Sequence, residues 1–91
     1  MDQILYIFEL FAEYPASAFM RYANEKMVVI ERNERAARDL CSKHPNHEGS
    51  KVWLTQLADG FGSTCHLTGT ALPGEKPRIM AKVPRHNLKV A

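Results

Sequence analysis

The sequence predicts an α+β domain in which three helices, over about residues 2–14, 17–43 and 50–60, precede a β-hairpin with arms at about 64–72 and 78–83. Three observations carry that expectation. Apolar side chains recur at intervals of three and four through the first 43 residues, the spacing of one helix face. A second such set runs from Trp53 to Phe61. Beyond residue 62 the texture changes to threonine, glycine and proline without helical period, and Pro73-Gly74-Glu75-Lys76-Pro77 forms a turn between two extended arms.

In the first element Ile4, Ile7, Phe8 and Phe11 form the stripe, joined by Leu10 and Tyr14, and Asp2 is placed to cap the first turn. Leu5 and Tyr6 fall off that face, so the apolar surface is wider than a surface helix needs. Such a helix is either central to the core or covered by a partner. Tyr14-Pro15 ends it, because proline disfavours helical backbone in the residue before it.

The second element starts at a Ser17 cap and carries Phe19, Tyr22, Ala23, Met27, Ile30, Ala37 and Cys41 on one side. Its other side offers the i, i+4 pairs Glu31 with Arg35, Glu34 with Arg38, and Arg35 with Asp39. Within it, the β-branched run Met27-Val28-Val29-Ile30 also suits a short strand. Pro45, Asn46 and Gly49 make residues 44–49 a loop. Ser50 caps the third helix, whose Trp53, Leu54, Leu57, Ala58 and Phe61 share a face and whose Gly60 suits a left-handed stop. Residues 1–83 read as a single compact domain and 84–91, opened by Pro84, as a basic tail.

A chain of 91 residues buries only about 60–65% of its unfolded surface, which leaves little room for an elaborate catalytic cavity. A hydrophobic fraction of 45% and a charged fraction of 24% are those of a folding globular protein. Two cysteines fall short of a disulfide framework, and Met1-Asp2-Gln3 puts no basic region before the first apolar run. A reducing, cytoplasmic setting is the expectation. The longest apolar segment, residues 4–14, is too short for a membrane span. Charge is uneven: residues 1–15 hold three acids and no base, and residues 76–91 hold five Lys or Arg and no acid.

Zinc accepts mixed thiolate and imidazole ligands, which makes Cys41, His44, His47 and Cys65 the set to weigh, with His66 beside the last. The set lacks the two tight pairs of a structural site, and neighbours on a strand point to opposite sides, so Cys65 and His66 do not both serve. No metal and no cofactor is expected. Gly69 to Gly74 has the glycine spacing of a phosphate loop but continues as Glu75-Lys76 with no helix behind it. No nucleophile elbow or zincin motif occurs, and the chain is not expected to be an enzyme.

Two binding readings remain. Tyr6, Tyr14 and Tyr22 around the wide first helix give the aromatic surface that protein interfaces favour, and that helix also offers a route to a homo-oligomer. Lys76, Arg78, Lys82, Arg85 and Lys89 give an anionic partner a landing site, with Arg78, Met80 and Lys82 alternating onto one strand face. Aromatics for base stacking are missing there, and a net charge of +2 is low for a nucleic-acid binder. The sequence therefore predicts a small regulatory or inhibitory protein that binds a larger protein, a profile shared by small proteins of mobile elements. Nucleic-acid binding is the alternative, and a small zinc domain the second.

Overall fold

The structure, a computed structural model, describes residues 3–13, 24–43 and 50–84. Four strands and two short helices follow one another as β1 (Tyr6–Glu13), β2 (Asn24–Glu31), α1 (Glu34–Ser42), α2 (Ser50–Leu54), β3 (Gly62–Thr70) and β4 (Arg78–Pro84). The strands form one sheet in the order β3-β1-β2-β4, with every neighbouring pair antiparallel. This overturns the three-helix expectation. The molecule is mostly sheet, with the helices laid on one face of it.

Residues 6–13 are a strand because their alternation is cleaner than their helical period. Phe8, Leu10 and Ala12 are buried, with Tyr6 partly buried beside them, whereas Ile7, Glu9, Phe11 and Glu13 point the other way. Glu9 and Glu13 are four apart and also both odd, so the same two acids fit one helix face and one strand face. The aromatic and β-branched content of Tyr6-Ile7-Phe8 decides for the strand.

The expected helix 17–43 is replaced, over its described part, by β2 and the nine-residue α1. In Val28-Val29-Ile30 the branched side chains restrict χ1 and favour extended backbone, and that run prevails over the i, i+4 charge pattern. Glu31 ends a strand and cannot pair with Arg35 across a helical turn. Asn33 then caps α1 by accepting the Ala36 N–H at 2.8 Å. Ala36, Ala37 and Cys41 are small enough to bring α1 down onto the sheet. The expected helix 50–60 stops at Leu54, after Val52 and Trp53 have entered the core. Leu54 is 54% exposed and Asp59 and Gly60 adopt positive φ in a turn, so the expected apolar face does not exist.

Both arms of the expected hairpin are strands, but they do not pair. β3 joins β1 and β4 joins β2, at opposite edges of the sheet. Residues 71–77 cross the end of the sheet between them. Ala71 N–H donates to Leu5 O at 2.9 Å, and Gly74, at φ +93°, makes the turn. No helix of the described residues is long and apolar enough to cross a membrane.

One core results, with Phe8, Leu10, Ala12, Met27 and Val29 of the sheet under Ala37, Cys41, Val52 and Trp53 of the helices. The register sets Phe8 opposite Val29 and Leu10 opposite Met27. Phe8 and Phe11, which a helix would place on one side, lie on opposite faces, with Phe11 39% exposed. Phe8→Ala is therefore expected to lower stability by about 3–5 kcal/mol and Phe11→Ala by well under half of that. Urea denaturation of the two variants checks the assignment: equal losses would refute it.

Candidate functional site

The most constrained polar group is Arg38, a residue buried to 9% exposure on α1. Its Nε donates to Glu34 Oε2 at 2.9 Å, one helical turn back. Its Nη1 reaches Ser63 Oγ at 2.8 Å, Trp53 O at 3.2 Å and Thr55 O at 3.3 Å, and its Nη2 reaches Ser63 O at 3.0 Å. One guanidinium thus ties α1, the end of α2 and the start of β3. The Ser63 hydroxyl donates onward to Trp53 O at 3.2 Å. Ser63 N–H donates to Thr55 O at 2.8 Å and Leu57 N–H donates to Ser63 O at 3.1 Å, so residues 55–57 run along the outer side of β3. Gly62 permits this approach, because a Cβ there would stand 2.7 Å from Gln56 O.

Arg38 is held on all sides by structural acceptors, which makes it a fastener. Removing it takes one donor each from Trp53 O, Thr55 O and Ser63 O, which keep a second from Ser63 or Leu57, and unties α1 from the end of α2 and the start of β3. Arg38→Met is expected to cost about 1–3 kcal/mol, and Arg38→Lys to recover only part because a single ammonium cannot reproduce the fork. Thermal melts of the two variants test this, and a parent-like Arg38→Met would show the network to be dispensable.

The cysteines are free and neither is activated. Cys41 is fully buried, and burial first, then the neighbouring Cys65, pushes its thiol up to about 12 against a weaker pull from Arg38. Burial first, then Glu34, pushes the Cys65 thiol up to about 11. Both groups stay protonated near neutral pH, which disfavours a nucleophilic or zinc-ligating role. Among the described residues no three His, Cys, Asp or Glu gather as a metal site; His44 and His47 lie outside those residues. His66 takes the face opposite Cys65, as strand alternation requires.

The upward thiol shifts have a consequence for pH. With an ordinary value of 9.0, the unfolded chain releases these protons before the folded one does. The contribution is complete below about pH 9 and is lost as pH rises through the folded values. The urea midpoint is expected to fall between about pH 8 and pH 10.5, by less in a Cys41→Ala, Cys65→Ser variant. An equal fall in both proteins would assign the effect to other groups.

The sheet face away from the helices presents a different arrangement. Register places Glu9 between Val28 and His66, and Phe11 between Lys26 and Thr64. Lys26 Nζ stands 5.3 Å from the Phe11 ring centroid and 3.6 Å from Glu9 Oε1. The Phe11 and His66 rings meet edge to face at 6.4 Å. Each contact is worth about 1 kcal/mol or less at such exposure, so together they hold an accessible ring in place without hiding it. Among the described residues the helices pack on the other face, and on this one Ile30, opposite Ile7, is buried while Phe11 stays accessible. Glu9, Phe11 and Lys26 were not marked as site residues by the sequence reading, and His66 was weighed only beside Cys65 for zinc, although Glu9 and Phe11 share a face in the alternation Ile7-Glu9-Phe11-Glu13.

The expected binding residues are dispersed. Tyr6 lies partly buried against the core on the helix side, edge to face with Phe8, and Tyr14 and Tyr22 lie outside the described residues. The helical oligomer route is gone, since β1 is a central strand with both edges occupied. On β4 the register shift at Val28/Val29 breaks the expected basic face: Arg78 pairs with Ile30 on the open side, and Lys82 pairs with Met27 on the helix side. Arg78 is engaged by Glu75 at 3.1 Å. Lys76 is exposed in the crossing segment, while Arg85 and Lys89 lie outside the described residues.

Compared with protein-family models, curated proteins and solved structures, the chain matches none of them.

Proposed function

We propose that this chain is a small, non-catalytic regulatory or inhibitory protein of the cytoplasm that acts by binding a larger protein, with the open face of its sheet as the contact surface. The observation that carries the reading is the Phe11 cluster. A ring pre-positioned by Lys26 and His66 and flanked by Glu9, Val28 and Thr64 combines a fixed aromatic anchor with a polar surround. Anchors of this kind bind at low entropic cost, because their rotamers are already selected. The two free thiols fit a reducing compartment.

Nucleic-acid binding by Lys76, Arg78, Lys82, Arg85 and Lys89 draws less support. The bulge puts Arg78 and Lys82 on opposite faces, which interrupts a continuous track for phosphates. One experiment separates the two readings. The tagged protein is used to capture partners from lysate with and without nuclease, beside Phe11→Ser and Arg78→Gln, Lys82→Gln variants. A protein that survives nuclease, loses at least about tenfold in affinity with Phe11→Ser and is indifferent to the basic pair supports the regulator. Capture that vanishes with nuclease or with the basic pair would replace it by the alternative.

A further inference from the structure

The two edges of the sheet are built differently. β4 carries Arg78, Lys82 and Pro84, and its ladder with β2 has two register shifts, all devices that discourage another strand from pairing there. β3 reads Gly-Ser-Thr-Cys-His-Leu-Thr-Gly-Thr, with no Lys, Arg, Asp, Glu or Pro. Among the described residues its outer side is closed only at Ser63, whose N–H and C=O are taken by residues 55–57. Antiparallel alternation points the same groups of Cys65 and Leu67 outward, and neither has a partner among the described residues. Leu67, at the centre of that open stretch, is 61% exposed.

We infer that β3 is a self-association edge: a second copy of this chain adds its own β3 antiparallel, about a two-fold axis at Leu67, and joins two four-stranded sheets into one of eight. The occupant follows from the edge itself. It is free of formal charge apart from the histidine, so an identical edge meets no like-charged lysine or carboxylate, and the outward N–H and C=O of Leu67 complement themselves when reversed, while beyond the bulge at residue 68 Gly69 pairs with Ile7 and Ala71 donates to Leu5, so that their groups turn back toward β1.

The axis follows from residues 55–57. A two-fold axis at His66 would set Ser63 opposite the partner's Gly69, and these residues already occupy that place. An axis at Leu67 sets Ser63 opposite residue 71 of the partner, which lies beyond the end of β3, so the shared ladder runs between the two obstructions. Leu67 then meets the partner's Leu67, burying apolar surface that is otherwise wet, and His66 faces the partner's Thr68. The ladder is short and the bulge at residue 68 limits it further, which places the contact among weak, reversible interfaces. Because the axis stands normal to the sheet, both open faces fall on the same side and the Phe11 surface is presented twice.

Sedimentation velocity of the full chain under reductant, from micromolar to millimolar, tests this. The weight-average mass is expected to rise from 10.3 kDa toward twice that value. Leu67→Lys, at an exposed site that leaves the core untouched, should weaken dimerisation by about tenfold or more by placing two ammonium groups at the axis. Amide exchange at Leu67 should slow at high concentration, while amides of β4 stay unchanged. Phe11→Ser should dimerise like the parent, so the edge and the open face stand or fall separately. A monomer at every concentration, a dimer indifferent to Leu67→Lys, or protection appearing on β4 would each overturn the inference.

Discussion

The buried guanidinium of Arg38 is the constraint on which the arrangement of this small protein turns. A cation at that depth is tolerated because one carboxylate, two backbone carbonyls and both oxygens of Ser63 surround it. Those acceptors come from segments far apart in sequence, so satisfying Arg38 requires α1, the end of α2 and the start of β3 to be in place together. A two-helix layer of only nine and five residues has little apolar area with which to fix its own position. The network supplies the missing specificity, and it does so at the point where the chain leaves the helices and enters the edge strand. Gly62 serves the same junction from the backbone side.

That junction also decides how much of the β3 edge is closed. Residues 55–57 are held against Ser63 by its main chain and by Arg38, and they end where the network ends. Past Ser63 the edge carries no Lys, Arg, Asp or Glu and no described residue pairs with it. The other edge is guarded by its own side chains and register shifts. The helix-covered face is dry and packed, and the opposite face mixes Phe11 with Lys26, Glu9 and His66. Among the described residues the sheet has helices on one face only and a strand-pairing guard on one edge only, and each asymmetry corresponds to one of the contacts proposed above.

Several features of this fold were legible in the sequence. The β-branched run at 27–30 signalled the strand that β2 is, the arms at 64–72 and 78–83 are strands, and the turn at Pro73-Gly74 stands where proline and glycine put it. The rest failed for identifiable reasons. Glu9 and Glu13 satisfy periods of two and of four at once, so β1 could pass as a helix. The charges from Glu31 to Asp39 satisfy i, i+4 spacing, yet only those from Glu34 onward lie in α1, and there Arg38 pairs with Glu34 while Asp39 pairs with Lys43. Arg38 looked like one more surface base because its acceptors are backbone carbonyls and a serine some 15 to 25 positions away. Backbone acceptors leave no mark in a sequence. The Phe11 cluster was hidden in the same way, since Lys26 and His66 reach Phe11 through pairing with β1 that no local pattern encodes.

The separation of β3 from β4 is the most instructive departure, because local signals all favoured a hairpin. A hairpin of those two arms would have formed an amphipathic ribbon with little to cover, while β1 and β2 kept two bare edges. Placing the arms outside β1 and β2 instead gives both central strands a neighbour on each side. It surrounds Leu10, Met27 and Val29 with sheet as well as helix, and these are among the least exposed side chains in the molecule. The crossing segment 71–77 lengthens the loop to be closed, but that entropic cost grows only slowly with length. Burial of the central strands grows with every residue that gains a second neighbour. The topology is therefore decided by what the first two strands need, and that need is visible only once they are recognised as strands.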